Sequence, residues 1–270
     1  MMNITPVVKQ LLIINIIFFI GSQLVPVSYD LFSLFYPESD KFRFWQLITH
    51  MFMHAKMPNL MHLAFNMFAL YSFGSTLEHF WGGKKFLFFY ISCGLGAALL
   101  HMGVNYYEVH SLLGTISELK FTNAELHTLL NTDYREVFDA NNQMVAGKVK
   151  EILERVNCNQ EQFNQLQNVV MNYQSSAVGA SGAIYGLLTA FAFMFPSAQL
   201  GLMFIPVPIK AKYFVPGILA VDLFLGLKGS SIFGAGSTGV AHFAHLGGAL
   251  TGFIMMWYWK KNQFNKNRWN

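Results

Sequence analysis

Long apolar runs alternate with short polar breaks along this chain, and that rhythm predicts helices long enough to cross a membrane. The first runs from Gln10 to about Val27, interrupted only by Asn15, Ser22 and Gln23 and closed by Pro26. Between Ser28 and Pro58 aromatic residues and methionines mix with scattered charges, a balance that fits a loop lying in the membrane interface. A second run, Asn59 to about Trp81, carries His62, Asn66 and Glu78. The turn Gly82-Gly83-Lys84-Lys85 leads to a third, Phe86 to about Tyr107. The fourth is Ala177 to Phe195, stopped by Pro196. Gln199–Ile209 is apolar but only about half a span long, and with Pro206 and Pro208 inside it reads as an interfacial connection. The fifth run is Tyr213 to about Leu227, with Asp222 inside it. A Gly/Ser-rich loop, Lys228–Gly239, precedes the sixth, Val240 to Trp259.

Glu108–Ser176 breaks the rhythm. It holds nine acidic and five basic residues and much Asn and Gln, while Val145–Val156 and Phe163–Val170 keep apolar positions at helical spacing. The expectation is an all-α polytopic membrane protein. Six transmembrane helices, residues 1–107 and 177–270, form the core, and residues 108–176 form a helical extramembrane insert between the third and fourth spans.

Composition agrees with that class. Hydrophobic residues make up 53% of the 270 and charged residues 12%, about half the charged share of a soluble domain. The formal charge of +4 is a matter of position, not a nucleic-acid footprint. Six spans put both termini on one side, with Lys9, Lys84, Lys85, Lys210, Lys212 and the cations of the C-terminal segment. The opposite short loops hold Lys41, Arg43, Lys56 and Lys228, so nine cations against four favour cytoplasmic termini and an insert outside. Cys93 sits in an apolar run and Cys158 in a polar one, which argues against a disulfide between them. The first run has no A-x-A-like exit and more spans follow it, so it reads as a span rather than a cleaved leader.

The candidate chemistry lies in two small-residue stretches. Gly179-Ala180-Ser181-Gly182-Ala183-Ile184-Tyr185-Gly186 opens the fourth span, and Ala241-His242-Phe243-Ala244-His245-Leu246-Gly247-Gly248 opens the sixth. A serine alone in such a stretch is a packing residue as readily as a nucleophile. A serine and a histidine together inside an apolar chain are a costly pair, and histidine is the usual base for a serine hydroxyl. Helical spacing puts Ser181 and Tyr185 on one face, His245, Gly248 and Gly252 on another, and His62 and Asn66 on a third. Gly182/Gly186 and Gly248/Gly252 are small-xxx-small pairs that admit close helix contact. One arrangement satisfies all of these: the fourth and sixth helices touching, the second alongside. His242 is the other candidate base, but the glycine spacing points to His245 and leaves His242 a supporting or packing role. His50 and His54 have no HExxH and no further ligand at metal spacing beside them, and read as interfacial polar contacts. Asp222 has the chemistry to orient a histidine; a hydrogen bond at a helix end is the plainer reading of it and of Glu78.

His62-x-x-x-Asn66, Gly179-Ala-Ser181-Gly and His245-x-x-Gly248-x-x-x-Gly252, in that order on the second, fourth and sixth runs, resemble the rhomboid family of intramembrane serine proteases. The resemblance covers the six-span core. It implies a Ser181–His245 dyad as nucleophile and general base, with no cofactor and no metal, since water and the dyad suffice. It further implies an oxyanion site of His62, Asn66 and the Ser181 backbone N–H, with Tyr185 packed on the His245 ring. The loop around Lys228–Gly239 would cap the site. Membrane-spanning protein substrates would enter from the lipid bilayer near the second and fifth helices and be cut near the outer face. Two departures stand out: Trp45 is followed by Gln46 where many members have Trp-Arg, with Arg43 two residues before, and His54 lies a few residues farther from His62 than is common. The rival expectations are a catalytically inactive rhomboid-like protein that binds membrane clients, disfavoured by the presence of both Ser181 and His245, and a small transporter, which predicts internal repeats that the halves do not display. The compact layout and an N-terminus unlike a transit sequence suggest a bacterial inner membrane.

Overall fold

The apolar runs fold as helices whose ends follow local chemistry more than hydropathy. The structure, a computed structural model, describes residues 4–134, 137–139, 143–202, 205–228 and 240–260. Helix α1 is Pro6–Leu24, followed by the short α2 (Ser28–Phe32) and α3 (Gln46–Thr49). The second run is α4 (Leu60–Ala69) and α5 (Ser75–Trp81), joined without a break by a π-helical turn at Leu70–Gly74. Then come α6 (Gly83–Thr115), α7 (Asn123–Asn131), α8 (Lys148–Arg155) and α9 (Gln160–Tyr173). The last three are α10 (Ser181–Met194), α11 (Ala211–Lys228) and α12 (Val240–Trp259). By length and composition, Pro6–Leu24 and Gly83–Thr115 are apolar enough to cross a membrane, and Ser181–Met194 is a shorter apolar helix.

Two differences from the expected boundaries have physical causes. Helix α6 continues past Tyr107 to Thr115, because the chain turns polar there without a proline or any other helix stop. The stretch expected to be a plain connection forms an antiparallel β-hairpin, Gln199–Leu202 with Ile205–Lys210, in which Gln199 faces Lys210 and Leu200 faces Ile209. Pro206 and Pro208 are two apart, so both missing N–H groups lie on one side of the strand, and the register shifts between Leu200 and Leu202.

The chain divides into two compact units. The first comprises Met1–Leu34, Arg43–His101 and Ala177–Asn270. Its core joins Val8 and Leu11 of α1, Leu77 of α5, Phe86 and Phe89 of α6, and Leu187 of α10. The outward faces are apolar too: Ile13, Ile17 and Ile20 on α1, Phe224 and Leu227 on α11, and Phe253, Ile254 and Trp257 on α12 are exposed. Such surfaces belong against acyl chains, and the protein is an integral membrane protein. Helix α1 begins with Pro6 at its first position, where no N–H is needed. Its next amides are held from α5: Glu78 Oε1 accepts from Val7 N–H (2.9 Å), and Oε2 accepts from Val8 N–H (2.8 Å) and the Thr5 hydroxyl. A carboxylate at a helix N-terminus satisfies amides the helix leaves unpaired. Here it ties α1 to α5, as the helix-end reading of Glu78 expected.

The second unit comprises Phe35–Phe42 and Met102–Ser176. Val109, Leu129, Leu153, Leu166 and Val169 build a separate core. Two of its helices start with reciprocal capping boxes, Thr122 with Glu125 and Asn159 with Gln162. Arg155 binds Glu125 through Nε (2.6 Å) and its guanidinium fork (2.7 Å), joining α8 to the start of α7.

His50 and His54, expected at an interface, are buried at 6% and 0% exposure. Nδ1 of His50 bonds the Gln46 carbonyl (2.8 Å), and Nε2 of His54 bonds Asn15 Oδ1 on α1 (2.9 Å). Burial pushes His50 down to about 4 and His54 to about 3, the neighbouring His62 adding to the second shift. Both rings are therefore neutral in the folded protein.

Two predictions follow from these contacts. Glu78→Ala leaves the buried Val8 amide, the half-buried Val7 amide and a hydroxyl without their acceptor, and should cost about 3 kcal/mol, read as a lowered unfolding midpoint in detergent. Unfolded imidazoles titrate near 6.5, so below about pH 6.5 the unfolded chain takes up protons that folded His50 and His54 refuse. Stability should be level above that pH. It should fall toward pH 4 by up to about 1.4 kcal/mol per pH unit for each histidine, with a shallower fall in His54→Gln.

Candidate active site

Helices α10 and α12 meet backbone to backbone. A Cβ on Gly248 would lie 1.8 Å from the Gly182 carbonyl oxygen, and one on Gly252 would lie 2.9 Å from Gly186 Cα. No larger residue fits either place at this separation. Helix α6 closes the other side: a side chain on Gly186 would meet Cys93 Sγ at 2.3 Å, and one on Gly182 would meet Ala97 Cβ at 2.4 Å. Small residues on three helices thus set the depth and rotation of the side chains around them.

Those side chains include Ser181, the first residue of α10, and His245 on α12. His245 Nε2 lies 2.9 Å from Ser181 Oγ. Tyr185, one turn along α10, stacks on the His245 ring with centroids 4.2 Å apart and planes at 9°. On the far edge of the ring, His245 Nδ1 lies 3.2 Å from Asp222 Oδ1 of α11. His242 Nδ1 approaches the same oxygen at 2.5 Å. Asp222 therefore serves two imidazoles of α12 from inside α11, and the helix-end role expected of it does not hold.

The second run contributes His62 from α4. The Ala55 N–H donates to His62 Nδ1 (3.3 Å), so in the neutral ring the proton resides on Nε2. That nitrogen faces Gly179. A Cβ built on Gly179 would lie 3.2 Å from His62 Nε2 and 3.5 Å from Ser181 Oγ, so the missing side chain leaves an opening between a donor and a hydroxyl. Gly179 has φ +126, a conformation that favours glycine, and its N–H is held by the His50 carbonyl (2.9 Å). The Ser181 amide, at the first position of α10, has no carbonyl four residues back within the helix. Asn66, buried one turn after His62, donates instead to the His62 carbonyl (2.6 Å). Ser181, His245, Tyr185, Gly179 and His62 thus form one group, while the Asn66 amide is engaged along its own helix.

Asp222, His242 and His245 present possible ligand atoms within 4.8 Å of one another. Ligands on a tetrahedral zinc with bonds of about 2.0 Å sit about 3.3 Å apart. The 2.5 Å between His242 Nδ1 and Asp222 Oδ1 is a hydrogen-bond separation.

Two positions outran the sequence reading. Gln46, where the Trp-Arg pattern fails, is fully buried. Its Oε1 accepts from Arg43 N–H (3.1 Å) and its Nε2 reaches the Asp30 carbonyl (3.3 Å), so it ties together the turns before α4. Asp222 bonding both His242 and His245 is the other; its signal was a carboxylate in an apolar helix opposite two histidines three residues apart. The Lys228–Gly239 loop lies, from residue 229 on, outside the described residues, as do Lys261, Lys266 and Arg268.

A family model described as Rhomboid domain matches residues 41–138 and 161–262. Among curated proteins none matches the chain significantly.

The packing yields its own prediction. Gly248→Ala sets a methyl against the Gly182 carbonyl, so α10 and α12 must part. The expected result is about 3 kcal/mol of destabilisation, measured as a lower unfolding midpoint in detergent.

Proposed function

The chain belongs to the rhomboid family, and from that premise we propose that it is an intramembrane serine endopeptidase in which Ser181 is the nucleophile and His245 the general base. The family is generally one of serine proteases acting on membrane proteins within the bilayer. The observation that carries the reading for this chain is the 2.9 Å contact between Ser181 Oγ and His245 Nε2, within the reach a base needs to take the serine proton.

In the reaction we propose, Ser181 Oγ adds to the scissile carbonyl of a substrate segment as His245 Nε2 takes its proton. The carbonyl oxygen becomes an oxyanion. His62 Nε2–H and the Ser181 N–H are the donors we assign to it, and the opening beside Gly179 is where it would sit. Collapse expels the amine, which leaves with the proton held by His245, and an acyl-serine remains. Water then adds with His245 again as base, releasing the acid and restoring the hydroxyl. Tyr185, stacked on the imidazole, restricts the ring to the plane in which Nε2 meets Oγ. Asn66, on the same helical face as His62, is the third oxyanion donor we assign: one amide hydrogen goes to the His62 carbonyl, and the second is the one offered to the oxyanion.

We extend the proposal to the membrane. Helices α1, α4–α5, α6, α10, α11 and α12 are read as six spans, residues 108–176 as an extramembrane insert, and the termini as cytoplasmic, in a bacterial inner membrane. The apolar outward faces and the bias of lysine and arginine support that orientation. Substrates would then be membrane-spanning proteins cut near the outer face.

A fluorescent phosphonate that reacts with activated serines tests the chemistry without a known substrate. The wild-type protein in detergent should be labelled. Ser181→Ala should abolish labelling, and His245→Ala should lower its rate by about 10³-fold or more. Both variants should keep the wild-type unfolding midpoint within a few degrees. Absence of labelling in folded wild-type protein would overturn the protease reading in favour of client binding.

A further inference from the structure

A neutral imidazole has one proton and two nitrogens, and only one of its two tautomers serves as a base toward Ser181. His245 Nε2 must present its lone pair to Ser181 Oγ, so the proton must reside on Nδ1. What lies against Nδ1 decides the matter. In this protein it is Asp222 Oδ1, at 3.2 Å. A carboxylate is an acceptor only, so this contact holds the proton on Nδ1 and the lone pair on Nε2. The opposite tautomer would set Nε2–H against the serine and the Nδ1 lone pair against an anion.

We propose that Asp222 is a positioning residue for the reaction, the third group of a Ser181–His245–Asp222 relay of hydrogen bonds. The inference rests on the protease reading above for its consequence in rate, but its structural content stands on the tautomer alone. Asp222 is buried at 5% exposure, in α11, while the two imidazoles that bond it belong to α12; the Tyr185 side chain of α10 bonds the same carboxylate. His242 Nδ1, at 2.5 Å, shares the oxygen that His245 uses, and the two rings stand nearly perpendicular with centroids 6.1 Å apart. His242 thereby fixes the carboxylate from one side while His245 meets it from the other. Geometry also assigns a second task. When His245 takes the serine proton it becomes a cation among apolar helices, and Asp222 is the anion beside it. No proton need pass to Asp222; it stays ionised while the imidazolium forms and decays.

The competing account is that Asp222 serves only His242 and matters for packing alone. Two measurements on the full-length protein separate them. The first is the inactivation of Asp222→Asn by the fluorescent phosphonate, resolved into a maximal rate and a half-saturating concentration. A positioning role predicts a maximal rate lower by about 10²-fold. The half-saturating concentration should stay within about threefold of wild type, in a protein whose unfolding midpoint is retained. Inactivation at the wild-type rate would overturn the proposal. The second is the ¹⁵N spectrum of histidine-labelled protein, with the His245 signal assigned by its loss in His245→Gln. The Nδ1–H tautomer in the wild-type protein is the expected result, and the Nε2–H tautomer would overturn the proposal even if Asp222→Asn failed to fold. A wild-type protein that is never labelled would sink the protease reading, while the tautomer would still decide the role of Asp222.

Discussion

Everything at the Ser181 site depends on how closely α10 and α12 approach. The gap between Gly182 and Gly248 has no room for a methyl group, and a separation larger by one carbon would take His245 Nε2 out of reach of Ser181 Oγ. In a bilayer such contact has no hydrophobic drive, since lipid tails are as apolar as the helix surfaces they would leave. Dispersion between closely fitted backbones must hold the helices instead. The glycines therefore do two things at once: they give α10 and α12 their attraction, and they fix the serine–histidine distance. Cys93 and Ala97 of α6, packed against Gly186 and Gly182, and Gly96, packed against Gly247 and Thr251 of α12, make the arrangement a three-helix wedge.

Around that wedge, four polar side chains buried in the first unit are matched across helices or turns. Glu78 of α5 satisfies the start of α1, Asn15 of α1 meets His54, Gln46 reaches the Asp30 carbonyl, and Asp222 of α11 meets two imidazoles of α12. Each joins segments far apart in sequence, and each would leave a costly orphan if the segments separated. Apolar packing against lipid specifies depth poorly, because one apolar face is much like another. Discrete polar pairs specify depth and rotation well. The glycine contacts supply attraction and the polar pairs supply register.

That division explains what was legible in the chain. Spacing within one helix reads directly as a shared face, so His62 with Asn66, Ser181 with Tyr185, and His245 with Gly248 and Gly252 were recoverable from periodicity, as was the juxtaposition of α10 with α12 from matching small residues. The polar pairings of Asp222 and Glu78 were not. Helix α11 is apolar nearly all round, so no polar stripe announces which way Asp222 turns, and nothing local links Glu78 to amides about seventy residues earlier. The bond from Asn66 to the carbonyl of the preceding turn is a local choice that spacing alone does not reveal. The hairpin at Gln199–Lys210 was obscured by counting its prolines as breakers, although prolines two apart leave only one side of a strand without N–H groups.

The Asp222 contact gains its weight from where it is. In water, a solvent-exposed imidazolium is stabilised by whatever dipoles turn toward it, and a neighbouring carboxylate adds little. Inside an apolar bundle few dipoles can turn. The cost of forming a charge on His245 is then set by the groups already in place, and among the described residues the anion in contact with that ring is Asp222. A site needing only a lone pair on Nε2 could hold the tautomer with a backbone carbonyl, as His50 is held by Gln46. A carboxylate has a burial cost that a carbonyl does not. Its presence opposite both His242 and His245 makes sense when the ring it faces must carry charge during turnover.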